Sequence, residues 1–193
     1  MLDALAGRLS GATADAASSA AEEHADAAAA EAERLLADPA VEADRLRSWL
    51  GERSRLVFLG RGAALSSAEM SALTIQEAAR RPAQAFGTAG FRHGPLEMSG
   101  PDLAAVFLLG DRRTRTLDLR LADDVSAAGA AVLLVGSEGG RAGTSVVEVG
   151  DLPDAAFAAV ATIPAQLLGW RLARDAGIEP GTFSVATKTT TTE

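Results

Sequence analysis

The 193-residue chain contains no cysteine, so it forms no disulfide bond and offers no thiol nucleophile or thiolate metal ligand. No uninterrupted apolar run approaches the roughly 20 residues that a membrane span requires, and the first residues lack the basic and apolar regions of a secretory signal. A net charge of −8 provides no general basic face for a nucleic-acid backbone. With 48% hydrophobic residues, the composition predicts a soluble, cytoplasmic globular protein without a nucleic-acid or membrane partner.

Lysine is nearly absent from the chain. The 18 basic residues are 17 arginines and a single lysine, Lys188, close to the carboxyl terminus. Arginine stays protonated near neutral pH, whereas a lysine can lose its proton and form a Schiff base with a carbonyl. Lys188 is therefore either a chance remnant of an arginine-rich composition or a residue retained for amine chemistry.

Residues 1–54 differ in composition from the rest of the chain, with 11 acidic against five basic residues. Residues 12–37 contain neither glycine nor proline and predict a helix. Residues 41–50 predict a shorter helix after the break at Asp38-Pro39. We expect this helical extension to pack on the body of the protein or on a second subunit, with His24 exposed or at that interface.

From residue 55 onward the pattern alternates between strand, turn and helix. Strands are predicted at 56–59, 84–86, 104–109, 131–135 and 145–149, and helices at 63–80, 115–128 and 154–176. Such alternation indicates parallel β–α–β units with helices on both faces of the sheet. The predicted fold class is therefore α/β: a three-layer, doubly wound parallel sheet of about five strands. Residues 1–54 form the helical extension and residues 55–193 form one domain.

The first candidate site lies where the first predicted strand ends, because ligands bind outside the carboxyl ends of parallel strands. Gly60, Arg61 and Gly62 join this strand to a helix, and Ser66 and Ser67 follow in its first turns. Such a turn can cradle a phosphate with backbone N–H groups. The motif is neither G-x-G-x-x-G nor a Walker loop, so a merely tight strand-to-helix turn is the alternative.

Two further residues carry side chains suited to proton transfer. His93 lies in a turn closed by Gly94-Pro95, where an imidazole can be reached by solvent and still be held in position, which suits proton transfer near neutral pH. A structural role is the alternative for His93, and Glu77 by itself is an ordinary helix glutamate. No spacing of His, Asp and Glu suggests metal ligands and no Ser-His-Asp arrangement is present, so we expect neither a metal nor a cofactor.

Several stretches together resemble a known family. They are the GRG turn after a strand, the helix that carries TIQE, the HGP turn, the helix IPAQLLGWRLARDAG and the tail TKTTTTE. They are similar to the sugar isomerase (SIS) domain family, and more narrowly to the second SIS domain of glutamine–fructose-6-phosphate aminotransferase and related sugar-phosphate isomerases and deaminases. The likeness spans residues 55–193 and implies a flavodoxin-like fold.

The resemblance implies roles for particular residues. Glu77 matches the glutamate that moves a proton between C1 and C2 of the open-chain sugar phosphate. His93 matches the histidine assigned to sugar ring opening, which in the aminotransferase comes from the neighbouring subunit. Lys188 matches the C-terminal lysine that contacts the sugar carbonyl and can form an imine with it. Thr187, which precedes Lys188, belongs to the expected substrate-binding set.

The sequence also departs from the family pattern. Thr74 stands where the motif usually has a lysine, and nothing matches the S-x-S-G-x-T loop that holds the phosphate in the first SIS half. The chain also has no glutaminase domain, so it is not expected to perform glutamine-dependent amination alone. We expect a ketose/aldose isomerase or amino-sugar phosphate deaminase that works as a homodimer, with a companion SIS half, or as half of a longer protein. The alternative is a non-catalytic SIS module that binds a sugar phosphate or a partner chain for regulation or assembly.

Overall fold

The chain folds into alternating helices and strands. The structure, a computed structural model, describes residues 13–137 and 140–185 together with the single residues 7 and 11. The helices are α1 (Ala14–Leu35), α2 (Pro39–Leu50), α3 (Ala63–Ala79), α4 (Thr88–Arg92), α5 (Arg115–Ala127), α6 (Asp154–Val160) and α7 (Ile163–Asp175), with a 3-10 helix at Pro95–Met98. The strands are β1 (Arg55–Gly60), β2 (Gln84–Gly87), β3 (Leu103–Leu108), β4 (Ala131–Gly136) and β5 (Thr144–Glu148).

The five strands form one sheet in the order β2-β1-β3-β4-β5. Every neighbouring pair is parallel. In β1, Leu59 lies opposite Phe86 of β2 on one side and Phe107 of β3 on the other. The order reverses direction between β1 and β3, which is the doubly wound arrangement of flavodoxin-like folds. The predicted α/β class with a five-stranded parallel sheet is confirmed.

Both faces of the sheet are buried. Alternate residues of β1 belong to two separate hydrophobic cores, with Leu56 and Phe58 in the first and Val57 and Leu59 in the second. Side chains of a strand point alternately to opposite faces, so each core lies on one side of the sheet. The first core includes residues of α2, α3, α6 and α7, whereas the second includes residues of α4 and α5. This is the predicted three-layer arrangement.

Helices α1 and α2 pack on the body of the protein. Leu46 and Leu50 of α2 are almost fully buried and belong to the same core as Leu168 of α7. At the end of α1, the Glu31 carboxylate accepts a hydrogen bond of 2.9 Å from the backbone N–H of Gly150. Of the two expectations for the helical extension, packing on the body is the one observed. The division of the chain at residues 54 and 55 stays a prediction.

The prediction of one continuous helix over residues 154–176 is wrong. Two helices occupy this segment, because α6 ends at Val160 and α7 begins at Ile163. Pro164 lies in the first turn of α7. Proline lacks a backbone N–H, and its ring clashes with the carbonyl four residues earlier, so it fits the first turn of a helix and interrupts its interior.

The segment Asp154–Asp175 is also the most apolar long helical stretch among the described residues. By length and composition alone it could cross a membrane, yet 67% of its most apolar window is buried inside the fold. Leu168 and Leu172, for example, are each at most 3% exposed. The apolar character of this segment is accounted for by its place in the first core.

The junction between β1 and α3 requires a residue without a side chain at position 60. A Cβ atom on Gly60 would lie 2.3 Å from the carbonyl oxygen of Ala64 and 2.9 Å from the backbone nitrogen of Leu65. Backbone atoms cannot move aside as a flexible side chain can. Gly60 therefore allows the first turn of α3 to approach the end of the strand, as the tight-turn alternative describes.

We expect Gly60→Ala to destabilise the protein by about 1–3 kcal/mol, because the added methyl group must push α3 away from the sheet. Urea unfolding followed by circular dichroism measures this loss. Gly87→Ala is the matched control, since Gly87 ends β2 with a negative φ and open space at its Cβ position. Its stability should change by less than about 1 kcal/mol. Equal losses in the two variants would contradict the close approach at Gly60.

Candidate functional site

The carboxyl ends of β1 and β3 mark the point where the strand order reverses. In open parallel sheets the crevice at this point is the usual ligand site. Gly60-Arg61-Gly62 leaves the end of β1, and Gly110-Asp111 follows β3. The fold therefore brings the predicted GRG turn to the edge where a ligand is expected.

A cavity of about 550 Å³ opens beside this edge, between the turn after β1, α4 and α5. Its size lies in the range of small-molecule sites. Four basic side chains line it, namely Arg61, Arg92, His93 and Arg120. Two acidic side chains, Asp123 and Asp124, lie in the same wall. The predicted residues Arg61 and His93 thus face one cavity.

A buried carboxylate lies behind the Arg61 side of this cavity. The side chain of Asp118 on α5 is 2% exposed. Its Oδ1 atom accepts a 2.7 Å hydrogen bond from the Thr88 hydroxyl and a 3.3 Å hydrogen bond from Nε of Arg61. Burial raises the pKa of Asp118 above its ordinary value, and this outweighs the opposing effects of Thr88 and Arg61. The carboxylate links α4, α5 and the turn after β1.

Sequence reasoning missed Asp118, although a signal for it exists. The sequence pattern predicts only a helix over residues 115–128 and singles out none of its acidic residues. Asp118 shares its buried face with Leu121, Ala122 and Val125, which follow at the helical spacings of three, four and seven residues. An acidic residue on the apolar face of a helix needs a buried polar partner, so this spacing could have identified it.

We expect Asp118→Asn to change the dependence of stability on pH. The native state holds the Asp118 proton up to a higher pH than the unfolded chain does, because the native pKa is raised above 3.8. Protonation of this carboxyl therefore stabilises the native state at low pH, and that contribution is lost as the pH rises through the native pKa. Relative to the variant, the wild type should gain stability between about pH 7 and about pH 4. Urea unfolding over this range tests it, and a constant difference would contradict the raised pKa.

Glu77 lies away from this cavity, near the end of α3. It is exposed and lines a smaller cavity of about 130 Å³, whose other lining residues are Thr74, Ala78, Gly181, Thr182 and Phe183. The Thr74 hydroxyl donates a 2.9 Å hydrogen bond to the carbonyl of Met70. The chain after α7 therefore passes beside the helix face that carries Glu77.

Glu77 and His93 do not meet within one chain. Glu77 is fourteen residues beyond Ala63, the first residue of α3, so it lies about 21 Å along the helix axis from the carboxyl edge of the sheet. His93 follows β2 and α4 at that edge, exposed between α4 and the 3-10 helix. The turn predicted around His93 is thus reduced to His93 and Gly94, between two short helices that the sequence analysis did not predict. Within residues 13–137 and 140–185, the two side chains line different cavities.

Comparison with known families decides the assignment. The SIS domain family model matches residues 50–168, which is more than half of the chain. The chain belongs to the SIS domain family. The SIS match begins at the end of α2 and stops within α7, so it contains all five strands and both Glu77 and His93.

Curated relatives of this SIS domain are sugar-phosphate proteins by name. A Streptomyces coelicolor protein that carries the provisional name D-galactosamine-6-phosphate deaminase AgaS is 34% identical over 151 residues, covering 72% of this chain and 39% of that protein. A glutamine–fructose-6-phosphate aminotransferase of Pyrobaculum aerophilum is 28% identical over 159 residues, covering 80% of this chain and 26% of that protein. The chain thus spans less than half the length of either relative.

A solved structure shares the SIS fold. It is the C-terminal domain of glucosamine-fructose-6-phosphate aminotransferase from Francisella tularensis, with a TM-score of 0.73 and 22% sequence identity. The superposition covers 86% of this chain and 46% of that chain. At this level of identity the likeness supports the fold alone.

The predicted substrate-binding serines of the SIS domain differ in their surroundings. The hydroxyl of Ser67 is buried and donates a 2.8 Å hydrogen bond to the carbonyl of Ala158 in α6. The exposed Ser66 donates a 2.7 Å hydrogen bond to the carbonyl of Ala63. The hydroxyl of Ser67 therefore links α3 to α6, whereas the side chain of Ser66 is accessible to solvent. Their roles in substrate binding, and those of Gly60, Arg61 and Gly62, remain predictions.

Two predicted residues of the tail lie outside the described residues, namely Thr187 and Lys188. Their roles also stay predictions. Among the residues that the structure does describe, no three His, Asp or Glu side chains are grouped so that they could hold a metal ion.

Proposed function

We propose that this SIS domain is a cytoplasmic sugar-phosphate ketose/aldose isomerase or amino-sugar phosphate deaminase. Its site would be completed by a second copy of the chain or by a companion SIS half. The observation that carries the proposal is the position of Glu77. It is exposed on α3 beside Phe183, at the start of the tail that leads to the only lysine of the chain.

The tail supports a pairing of Glu77 with Lys188. Lys188 follows Phe183 by five positions, so the covalent chain keeps their Cα atoms within about 18 Å. A carboxylate and a primary amine are the groups that the reaction needs. The carboxylate removes a proton from one of the carbons C1 and C2 and returns it to the other, while the amine polarises the carbonyl or condenses with it.

The position of His93 supports a site shared between two chains. His93 suits the acid–base step that opens the sugar ring, because an imidazole can both donate and accept a proton. It lies at the carboxyl edge of the sheet, remote from Glu77 of its own chain. We infer that His93 of one subunit serves the Glu77 site of another subunit.

A second candidate function is a non-catalytic SIS module that binds a sugar phosphate for regulation or assembly. The observation in its favour is the lining of the cavity at Glu77. Thr74 occupies the position of the usual lysine and uses its hydroxyl within α3. Among the described residues, no basic side chain lines this cavity.

Calorimetric titration with fructose-6-phosphate and glucosamine-6-phosphate, combined with assays for the isomerised sugar and for released ammonia, separates the two candidates. The enzyme proposal predicts binding and conversion of at least one of these sugars. Binding without conversion would favour the module. Absence of both would contradict both sugar-binding functions and leave only a role in assembly.

A further inference from the structure

We propose that the 550 Å³ cavity is a phosphate subsite, in which Arg61 and Arg120 hold the phosphate group and Asp118 positions Arg61. The ligand class is a phosphate monoester, such as the phosphate end of a sugar phosphate. This inference deepens the proposed function, because His93 lines the same cavity and is proposed to serve the Glu77 site of another subunit, and it rests on that function for the identity of the sugar.

Among the described residues, the guanidinium of Arg61 is hydrogen-bonded through its Nε atom only. Its Nε donates to the buried Asp118, and the arginine side chain is 28% exposed. Within the described part of the chain, neither terminal nitrogen of its guanidinium makes a hydrogen bond or ion pair. Anchoring at Nε restricts the orientation of the guanidinium beside the cavity that Arg61 lines, and it leaves the terminal N–H groups available to a ligand. A planar fork of this kind matches two oxygen atoms of a phosphate.

Arg120 adds a positive charge that no carboxylate of the described residues neutralises. It is exposed in the same cavity wall and makes no ion pair or hydrogen bond with the residues described. The acidic groups nearby already have partners. Asp118 pairs with Arg61, Asp124 pairs with Arg92 at 2.9 Å, and Asp123 pairs with Arg141 at 2.5 Å.

The pairing of the acidic groups leaves the cavity with an excess of hydrogen-bond donors and of positive charge. A phosphate monoester carries about −1.5 to −2 charge near neutral pH and presents three strong acceptor oxygens. It therefore supplies what the cavity lacks. A neutral sugar would offer no negative charge to Arg120 and no pair of anionic oxygen atoms to the guanidinium of Arg61.

Calorimetric titration with inorganic phosphate, fructose-6-phosphate and fructose tests the subsite. We expect the wild type to bind both phosphate compounds more tightly than fructose, and Arg61→Gln to weaken both by about tenfold or more. Arg120→Ala, at an exposed position without a partner, should weaken both by about threefold. Equal affinity of the wild type for fructose-6-phosphate and fructose would overturn the proposal, and so would unchanged phosphate binding in Arg61→Gln.

Arg55 provides a matched control. It begins the same strand, β1, at the opposite edge of the sheet, and its Nε lies 3.2 Å from a carboxylate oxygen of Asp102. Arg55→Gln removes an equivalent charge and ion pair, so it should leave phosphate affinity within about twofold of the wild type. A loss as large as that of Arg61→Gln would show a general charge effect and overturn the subsite.

A double variant that combines Arg61→Gln with Asp118→Asn tests whether Asp118 acts through Arg61. Asp118→Asn should weaken phosphate binding by about threefold to tenfold, and the double variant should bind no more weakly than Arg61→Gln alone. Additive losses would overturn the positioning role. Urea unfolding of each variant confirms that it folds.

The phosphate titrations do not require turnover. An inactive protein that binds phosphate through Arg61 would therefore contradict the enzyme proposal and support the subsite. An active isomerase whose affinity for phosphate is unchanged by Arg61→Gln would support the enzyme proposal and contradict the subsite.

Discussion

Glu77→Gln is expected to lower the turnover of the sugar phosphate by about 10²–10⁴-fold while ligand affinity changes little. Glutamine has nearly the same shape as glutamate, but it cannot accept a proton from one carbon and return it to the next. Glu77 is exposed and makes no hydrogen bond or ion pair with the residues described. Its replacement should therefore change the free energy of unfolding by less than about 0.5 kcal/mol.

The control for this variant is Glu69→Gln. Glu69 lies on the same helix, is also exposed, and precedes Glu77 by eight residues. Its substitution makes the same chemical change at a position without an assigned role, so turnover should remain that of the wild type. The measurement is the rate of interconversion of the ketose and aldose phosphates, together with calorimetric affinity. Unchanged turnover in Glu77→Gln would reject Glu77 as the base.

Lys188→Arg is expected to reduce turnover by about tenfold or more and to abolish trapping of an imine. Arginine keeps the positive charge but cannot form a Schiff base with the sugar carbonyl. Borohydride reduction in the presence of fructose-6-phosphate should therefore attach the sugar to the wild type and not to the variant. Peptide mass spectrometry locates the adduct.

The composition of the chain makes this assignment unambiguous. Lys188 is the only lysine among the 193 residues, so its side chain is the only amine of this sequence's side chains that can form the imine. The amino terminus of the expressed protein is the other primary amine, and it falls in a different peptide. An adduct on the amino terminus alone, or full turnover in Lys188→Arg, would show that the amine of Lys188 takes no part in the reaction.

The architecture of the sheet was predictable because its central strands are continuous runs of apolar residues. In β3 every residue is buried, and such continuous apolar runs between helices are typical of parallel sheets covered on both faces. The break at Ala161 and Thr162 was not predicted because apolar residues continue across it with helical spacing. Only the restriction that Pro164 places on the preceding turn reveals the interruption.

Local sequence patterns identified candidate functional side chains, but they did not predict which of these side chains lie close together in the fold. Arg61 and His93 were predicted from separate turns, and they line one cavity because β1 and β2 are neighbours in the sheet. Asp118 escaped prediction because its importance comes from contacts with Thr88 and Arg61, which are 30 and 57 residues away in sequence. The separation of Glu77 from His93 likewise depends on the path of α3 across the sheet.

The proposal that two chains share one site has a direct test in mixed dimers. Glu77→Gln and His93→Gln chains carrying different tags can be co-expressed, and the dimer that contains one of each can be purified through both tags. Each variant alone should be inactive. The mixed dimer should recover about half of the wild-type turnover, because one of its two sites combines an intact Glu77 with an intact His93 from the other chain. An inactive mixed dimer, or a wild-type monomer with full activity, would contradict the shared site.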